Sequence, residues 1–351
     1  MTRKIGLDVV RAGAISLVLV AHLASQLEFC GLYGVELFFA LSGFLIGGIL
    51  FRRLTACPRW TFGEVKLFWS RRWWRTLPNY YLFLMVSLPL HYYIGGLPTL
   101  IGIIPFFVFC QDLLSAHSTF YGVSWSLCIE EWFYLLFPLC ILVFVLLGLS
   151  KRNAFICATV LFLVFPPTLR EWMFAHHDPA IVRKLTLPRL DAIFYGVATS
   201  FVVARYRLSP LLKRVSLAAA VIGLVTLFIF QHHCHQTNVW VPFYRAAFVL
   251  LPLCFSLSLP YFGSLDHLPA WCAFLTRPIT NLSLWSYSIY LSHIPILFLT
   301  YAAFGSLRNH ASINLFSKLV GLAACLGISS LVYAYYESKL MVLRPAENHS
   351  A

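Results

Sequence analysis

Asp8, Arg11 and His22 are ionisable residues placed in or at the edge of the first long apolar run of the chain, near residues 9–28. Charged groups cost several kcal/mol or more in hydrocarbon, so each marks a partner, a cavity or a function. At about 100° and 1.5 Å per helical residue, His22 lies about 20° beyond three full turns from Arg11 and roughly 16 Å along the axis. The two therefore share one face, with Asp8 about 40° off it. A guanidinium recognises anions through its planar fork, and an imidazole can carry a proton near neutrality. A stripe hydrogen-bonded to neighbouring helices would have the same spacing.

Arg71-Arg72-Trp73-Trp74-Arg75 follows Arg52, Arg53, Arg59 and Lys66, making the densest positive stretch, in what reads as a loop between the second and third spans. Such a cluster serves membrane topology or holds a cytosolic polyphosphate, and both uses fit. Carboxylates gather in a second group: Glu28, Glu36, Asp112, Glu130, Glu131, Glu171, Asp178 and Asp191. With His22 and Arg189 they suit an outward cavity for a hydroxylated, sugar-like molecule, although solvation suffices for Asp178. Glu130 and Glu131 read as the start of an apolar helix reaching Leu149, where a helix N-terminus also favours carboxylates. Tyr290 and His293 share a helical face at i,i+3, fit for packing or for lining a cavity. His232-His233-Cys234-His235 reads as an outer loop whose consecutive side chains cannot converge on one ion, so no metal site is expected.

The elements that must position these groups are membrane helices. The chain has 351 residues, 60% hydrophobic and 11% charged, with mean hydropathy +0.79. That excludes a soluble enzyme, a disordered chain and a coiled coil. A net charge of +13 would suggest nucleic acid for a soluble protein; here it suits orientation and anionic headgroups, and no nucleic-acid partner is expected. The ten cysteines form no C-x-x-C pair and sit mostly in apolar runs, as buried small hydrophobes do. The N-terminal run, carrying Arg11 and His22, reads as a retained span and not a cleaved leader.

Apolar runs fall near 9–28, 34–51, 77–94, 99–115, 128–149, 154–172, 189–204, 215–231, 242–262, 284–304 and 314–336. If 99–115 is re-entrant or interfacial, the other ten cross. Nearly all loop arginines and lysines then share the side of the termini, leaving Arg183, Lys184, Arg308 and Lys318 opposite. By the positive-inside rule both termini are cytoplasmic. The expectation is an all-α integral membrane protein of about ten transmembrane helices, one polytopic domain over 1–351 with its core at 5–339 and no appended soluble domain.

Six blocks in order resemble the acyltransferase 3 family of membrane acyltransferases. They are Leu7-Asp8-x-x-Arg11 with His22; Gly34 to Leu45, with Glu36 where the family has Asp; Arg71-Arg72-x-x-Arg75 with Pro78; Trp125-Ser126-Leu127-x-x-Glu130-Glu131; Arg189-Leu190-Asp191 with Gly196; and Ser286-Tyr287-Ser288-x-Tyr290-Leu291-x-His293. The usual Glu-Arg-Pro after the last span reads Glu337-Ser338-Lys339. The resemblance implies a ten-helix core, a cytosolic acyl-CoA donor, most readily acetyl-CoA, and a carbohydrate acceptor at the outer face of a bacterial cytoplasmic membrane. No permanently bound cofactor is expected.

On that resemblance His22, Arg11 and Glu130 are the candidate catalytic residues. His22 acts as base or is transiently acylated, and Glu130 orients the imidazole or binds the acceptor. Arg71, Arg72, Arg75 and Ser42 are candidates for donor binding. Asp8, Glu36, Trp125, Ser126, Glu131, Arg189, Asp191, Tyr290 and His293 are candidates for acceptor binding or support. A glycan transporter or exporter is the alternative, but such folds commonly carry inverted repeats with broken helices, and none is visible here.

Overall fold

The computed structural model describes residues 3–95, 100–113 and 120–345. They form a helical bundle: α1 (Ile5–Leu23), α2 (Cys30–Ala56), α3 (Phe62–Gly95), α4 (Leu100–Phe107), α5 (Ser124–Leu146), α6 (Lys151–Phe174), α7 (Pro179–Val182), α8 (Asp191–Arg205), α9 (Pro210–Thr237), α10 (Val241–Phe262), α11 (Thr276–Phe304), α12 (Ala311–Val332) and α13 (Ser338–Val342). Among the described residues nine helices are long and apolar enough to cross a bilayer. Lipid offers the backbone no hydrogen-bond partners, so a chain this apolar closes its peptide groups within helices. The apolar residues left over face outward: α9 exposes Val215, Ile222, Val225 and Ile229. The protein is an integral membrane helical bundle.

The expected span at 77–94 is the second half of α3, which is less apolar because it holds Asn79, Ser87 and His91. It still runs the depth of the bundle. Arg71 near its start donates to the Pro345 carbonyl (2.5 Å), and His91 near its other end packs on Phe120. The helix begins at Phe62, so the arginine cluster expected on a loop lies on helix. Helical periodicity therefore decides which arginines act together.

In the doubtful run at 99–115 the helix among the described residues is α4, 8 residues or about 12 Å, too short for about 30 Å of hydrocarbon. Helix α4 dips back beside α3, and side chains from both neighbours satisfy carbonyls at its end. Tyr80 and Tyr81 hydroxyls donate to Phe106 and Phe107 (2.9 and 2.8 Å), and Trp132 Nε1 donates to Phe109 (2.8 Å). Residues 96–99 and 114–119 lie outside the described residues.

Helix α2 is the central element, between α1, α8 and α10. It crosses α8 closely because both present glycine there. A Cβ on Gly43 would collide with the Ile193 carbonyl, and one on Gly196 with the Ala40 carbonyl. Small residues that admit such close approach drive helix association where the solvent is itself apolar. Two ion pairs fix the surroundings: Arg189 with Glu36, both fully buried, and Arg170 with Asp191 in a two-pronged contact at 2.7 and 3.0 Å. At the opposite end, Lys4 Nζ donates to Asp266 (2.5 Å) and holds that exposed carboxyl below its usual range.

The segment after the last span, where the sequence departs from the family tripeptide, stays helical through a π turn at Tyr333–Glu337. The buried Glu337 accepts from Asn79 (2.9 Å) and Ser288 (2.8 Å).

Candidate active site

Among the described residues, two cavities reach the charged groups of the interior. The first, about 370 Å³, is lined by Arg11, Arg72, Arg75 and Arg344 together with Ser42, Glu130 and Tyr134. Arg72 and Arg75 are three residues apart on α3 and so share a face. Arg71, turned about 100° away, does not line this cavity. Arg11 is set by a fixed network: Ser283 Oγ donates to Asp8 Oδ1 (2.7 Å), Arg11 Nη1 donates to Ser283 (3.2 Å), and Arg3 Nε donates to Asp8 (2.5 Å). Asp8 is buried by these partners and acts through Arg11.

Glu130 faces the same arginines. Tyr134 donates to it (3.2 Å) and also lies 3.2 Å from Ser42 Oγ. The helix begins at Ser124, so Glu130 and Glu131 sit well inside α5 and are not an N-terminal pair. Glu131 is buried outside both cavities, with Oε2 lacking a hydrogen-bond partner. Among the described lining residues four guanidiniums surround one carboxylate, with Asp8 3.7 Å behind Arg11, a lining that suits a polyanion.

The second cavity, about 410 Å³, lies at the other end of the bundle. His22, His293, Trp125, Glu28, Arg183 and Lys184 line it. The His22 and His293 rings stand 4.9 Å apart between centroids. His293 is fully buried; its Nδ1 lies 2.8 Å from the Tyr290 carbonyl and 3.1 Å from that of Ile289. Both partners are acceptors, so Nδ1 carries the hydrogen and Nε2 offers its lone pair. No partner meets that buried Nε2. His22 is exposed into the cavity. Together the rings offer proton acceptors in a low-dielectric pocket.

Val35 and Tyr290 line both cavities. The Tyr290 hydroxyl contacts Ser126 Oγ at 2.5 Å and donates to the Val123 carbonyl at 3.3 Å. Consecutive residues of α5 thus divide, Trp125 facing the histidine cavity and Ser126 the arginine cavity.

The structure brings Arg11, Arg72, Arg75, Ser42, Ser126 and Glu130 together at one end, and His22, His293 and Trp125 at the other, with Tyr290 between. Glu130 and His22 occupy different cavities, so orienting the imidazole, one of the roles expected for Glu130, does not fit this arrangement. Glu36, Arg189 and Asp191 line neither cavity; they pair within the scaffold. Sequence reasoning passed over Arg344, Arg183 and Lys184. The last two were legible as adjacent positive charges on the side that topology leaves nearly bare. His232, His233, Cys234 and His235 lie on the last turns of α9, and among the described residues no three His, Cys, Asp or Glu side chains converge.

A family model described as an acyltransferase domain matches residues 4–335. The peptidoglycan O-acetyltransferase OatA of Listeria monocytogenes serovar 1/2a is 28% identical over 364 residues, covering 95% of this chain and 55% of the relative. The O-acetyltransferase OatA of Staphylococcus aureus strain NCTC 8325 is 27% identical over 315 residues, 83% of this chain and 50% of the relative. The chain thus spans about half the length of these curated relatives. No solved structure matches it.

Proposed function

Because the chain belongs to the acyltransferase family matched over residues 4–335, we propose that it is a membrane O-acyltransferase that moves an acyl group, acetyl first of all, from cytosolic acyl-CoA to a hydroxyl of a carbohydrate at the opposite face. The observation that carries this reading is the pair of cavities, arginine-lined and histidine-lined, separated by Val35 and Tyr290. Two relatives named as O-acetyltransferases support the acetyl group, and the one named for peptidoglycan supports a glycan acceptor.

In this scheme the donor phosphates sit on Arg11, Arg72, Arg75 and Arg344, and the thioester reaches toward Tyr290. The acceptor hydroxyl enters from the histidine side. Its oxygen attacks the thioester carbonyl carbon while an imidazole, His22 in the first instance, takes the hydroxyl proton. The tetrahedral intermediate collapses, the C–S bond breaks, and the thiolate of CoA recovers a proton. Glu130, Tyr134 and Ser42 hold the donor end. The membrane is a bacterial cytoplasmic membrane with both termini inside.

Purified protein incubated with labelled acetyl-CoA and a glycan acceptor should release CoA and leave a 42 Da increment on the glycan. Glycan movement across a sealed vesicle with no thioester cleavage would make the chain an exporter instead.

A further inference from the structure

The charges lining the histidine cavity do not balance. Among the described residues lining it, Arg183 and Lys184 face one carboxylate, Glu28. Several other arginines have acid partners within 4 Å, Arg170 with Asp191, Arg189 with Glu36, Arg11 with Asp8, Arg53 with Glu64 and Arg245 with Glu171, while Arg72 and Arg308 share with Arg183 a buried Nε without a hydrogen-bond partner. Arg183 has no such acid partner among the described residues. Its Nε is buried without a hydrogen-bond partner, and its guanidinium carbon stands 5.7 Å from the ring centroid of Trp125. Asp178, five positions earlier, is engaged in capping α7, where its Oδ1 accepts from the Ala180 amide (2.7 Å).

A guanidinium on an aromatic face is oriented by the ring quadrupole, and its desolvated N–H remains costly until an acceptor meets it. The segment that carries it is anchored, since the Thr186 amide donates to the Asp112 carbonyl at 2.7 Å. The guanidinium is therefore held in place, and an anion in the same pocket as the two imidazoles would supply the acceptor its Nε lacks.

We propose that the histidine cavity selects an acceptor sugar bearing an anionic substituent, carboxylate or phosphate, held by Arg183 over Trp125 with Lys184 at the rim. This rests on the reading of that cavity as the acceptor site. The anion anchors one end of the sugar so that a ring hydroxyl meets His22 and His293.

Three small sugars test it by equilibrium binding to the full chain in nanodiscs of neutral lipid: N-acetylglucosamine, N-acetylmuramic acid and N-acetylglucosamine 1-phosphate. At least one anionic sugar should bind about tenfold or more tightly than the neutral one, the worth of a charge-assisted hydrogen bond, and which one does names the group. Arg183→Gln should bring that sugar to parity with N-acetylglucosamine, Arg183→Lys should keep part of the preference, and Lys184→Gln should lose less than Arg183→Gln. Parity of all three sugars on the unmodified protein, or a preference that survives Arg183→Gln, overturns the proposal. Acetyl-CoA cleavage is followed on the same samples. An anion preference in protein that cleaves no thioester overturns the acyltransferase reading and leaves the anion site standing; cleavage with no preference does the reverse.

Discussion

His22 on α1 and His293 on α11 face each other with ring centroids 4.9 Å apart, although 271 positions separate them in the chain. Their roles differ by burial. His293 is locked by backbone carbonyls behind it, whereas His22 is open to the cavity. His22→Ala should lower transfer by about 10²–10⁴-fold with acyl-CoA affinity unchanged, and His293→Ala should cost less. Single-turnover rates on both variants check this, and a larger loss in His293→Ala would make that residue the base.

The arginine stretch separates into residues that line the cavity and one that does not. Arg72→Ala and Arg75→Ala should each raise the KM for acyl-CoA by about ten- to a hundredfold, the range of a charged hydrogen bond. Lysine should restore only part, since it lacks the fork. Arg71→Ala should leave KM within about twofold. Equal effects at all three positions would mean that net charge alone is at work.

The Glu36–Arg189 pair is scaffold, and its deletion should read as instability. Arg189→Met strands a buried carboxylate and should cost about 3–5 kcal/mol. Replacing both partners with apolar residues should recover much of that loss. Thermal unfolding in detergent of the two singles and the double gives the coupling; additive losses would show that the pair contributes nothing jointly.

The proposed orientation rests on the positive charges and is open to direct test. Single cysteines at 58, 59, 61 and 206–208, on a background without other cysteines, should resist an impermeant thiol reagent in intact cells. Those at 176–181 and 238–240 should react. The reverse pattern would place the arginine cavity outside, away from any cytosolic donor.

Helical arithmetic made the Arg11–His22 stripe legible, and the folded α1 presents those two residues to separate cavities along its length. The same arithmetic on α3 would have separated Arg71 from Arg72 and Arg75, had the start of that helix been visible. Pro78 and the run of charge before it disguised that start, because a proline inside a membrane helix is tolerated where neighbours satisfy the freed backbone. The sharing of Glu36 with Arg189, and of Glu337 with Asn79 and Ser288, was beyond sequence reading. Those contacts depend on which helices are neighbours, and periodicity says only which face a residue occupies. Arg183 shows the converse, a charge misplaced by topology that has a place in a pocket.

Val35 and Tyr290 line both cavities, and the Tyr290 hydroxyl is held against Ser126. Under the proposed reaction this is a bulkhead. The nucleotide carrier stays on its own side, the sugar on the other, and only a fragment as small as two carbons changes hands. An energised membrane can thus have its outer glycans decorated without a passage wide enough to discharge its ion gradients.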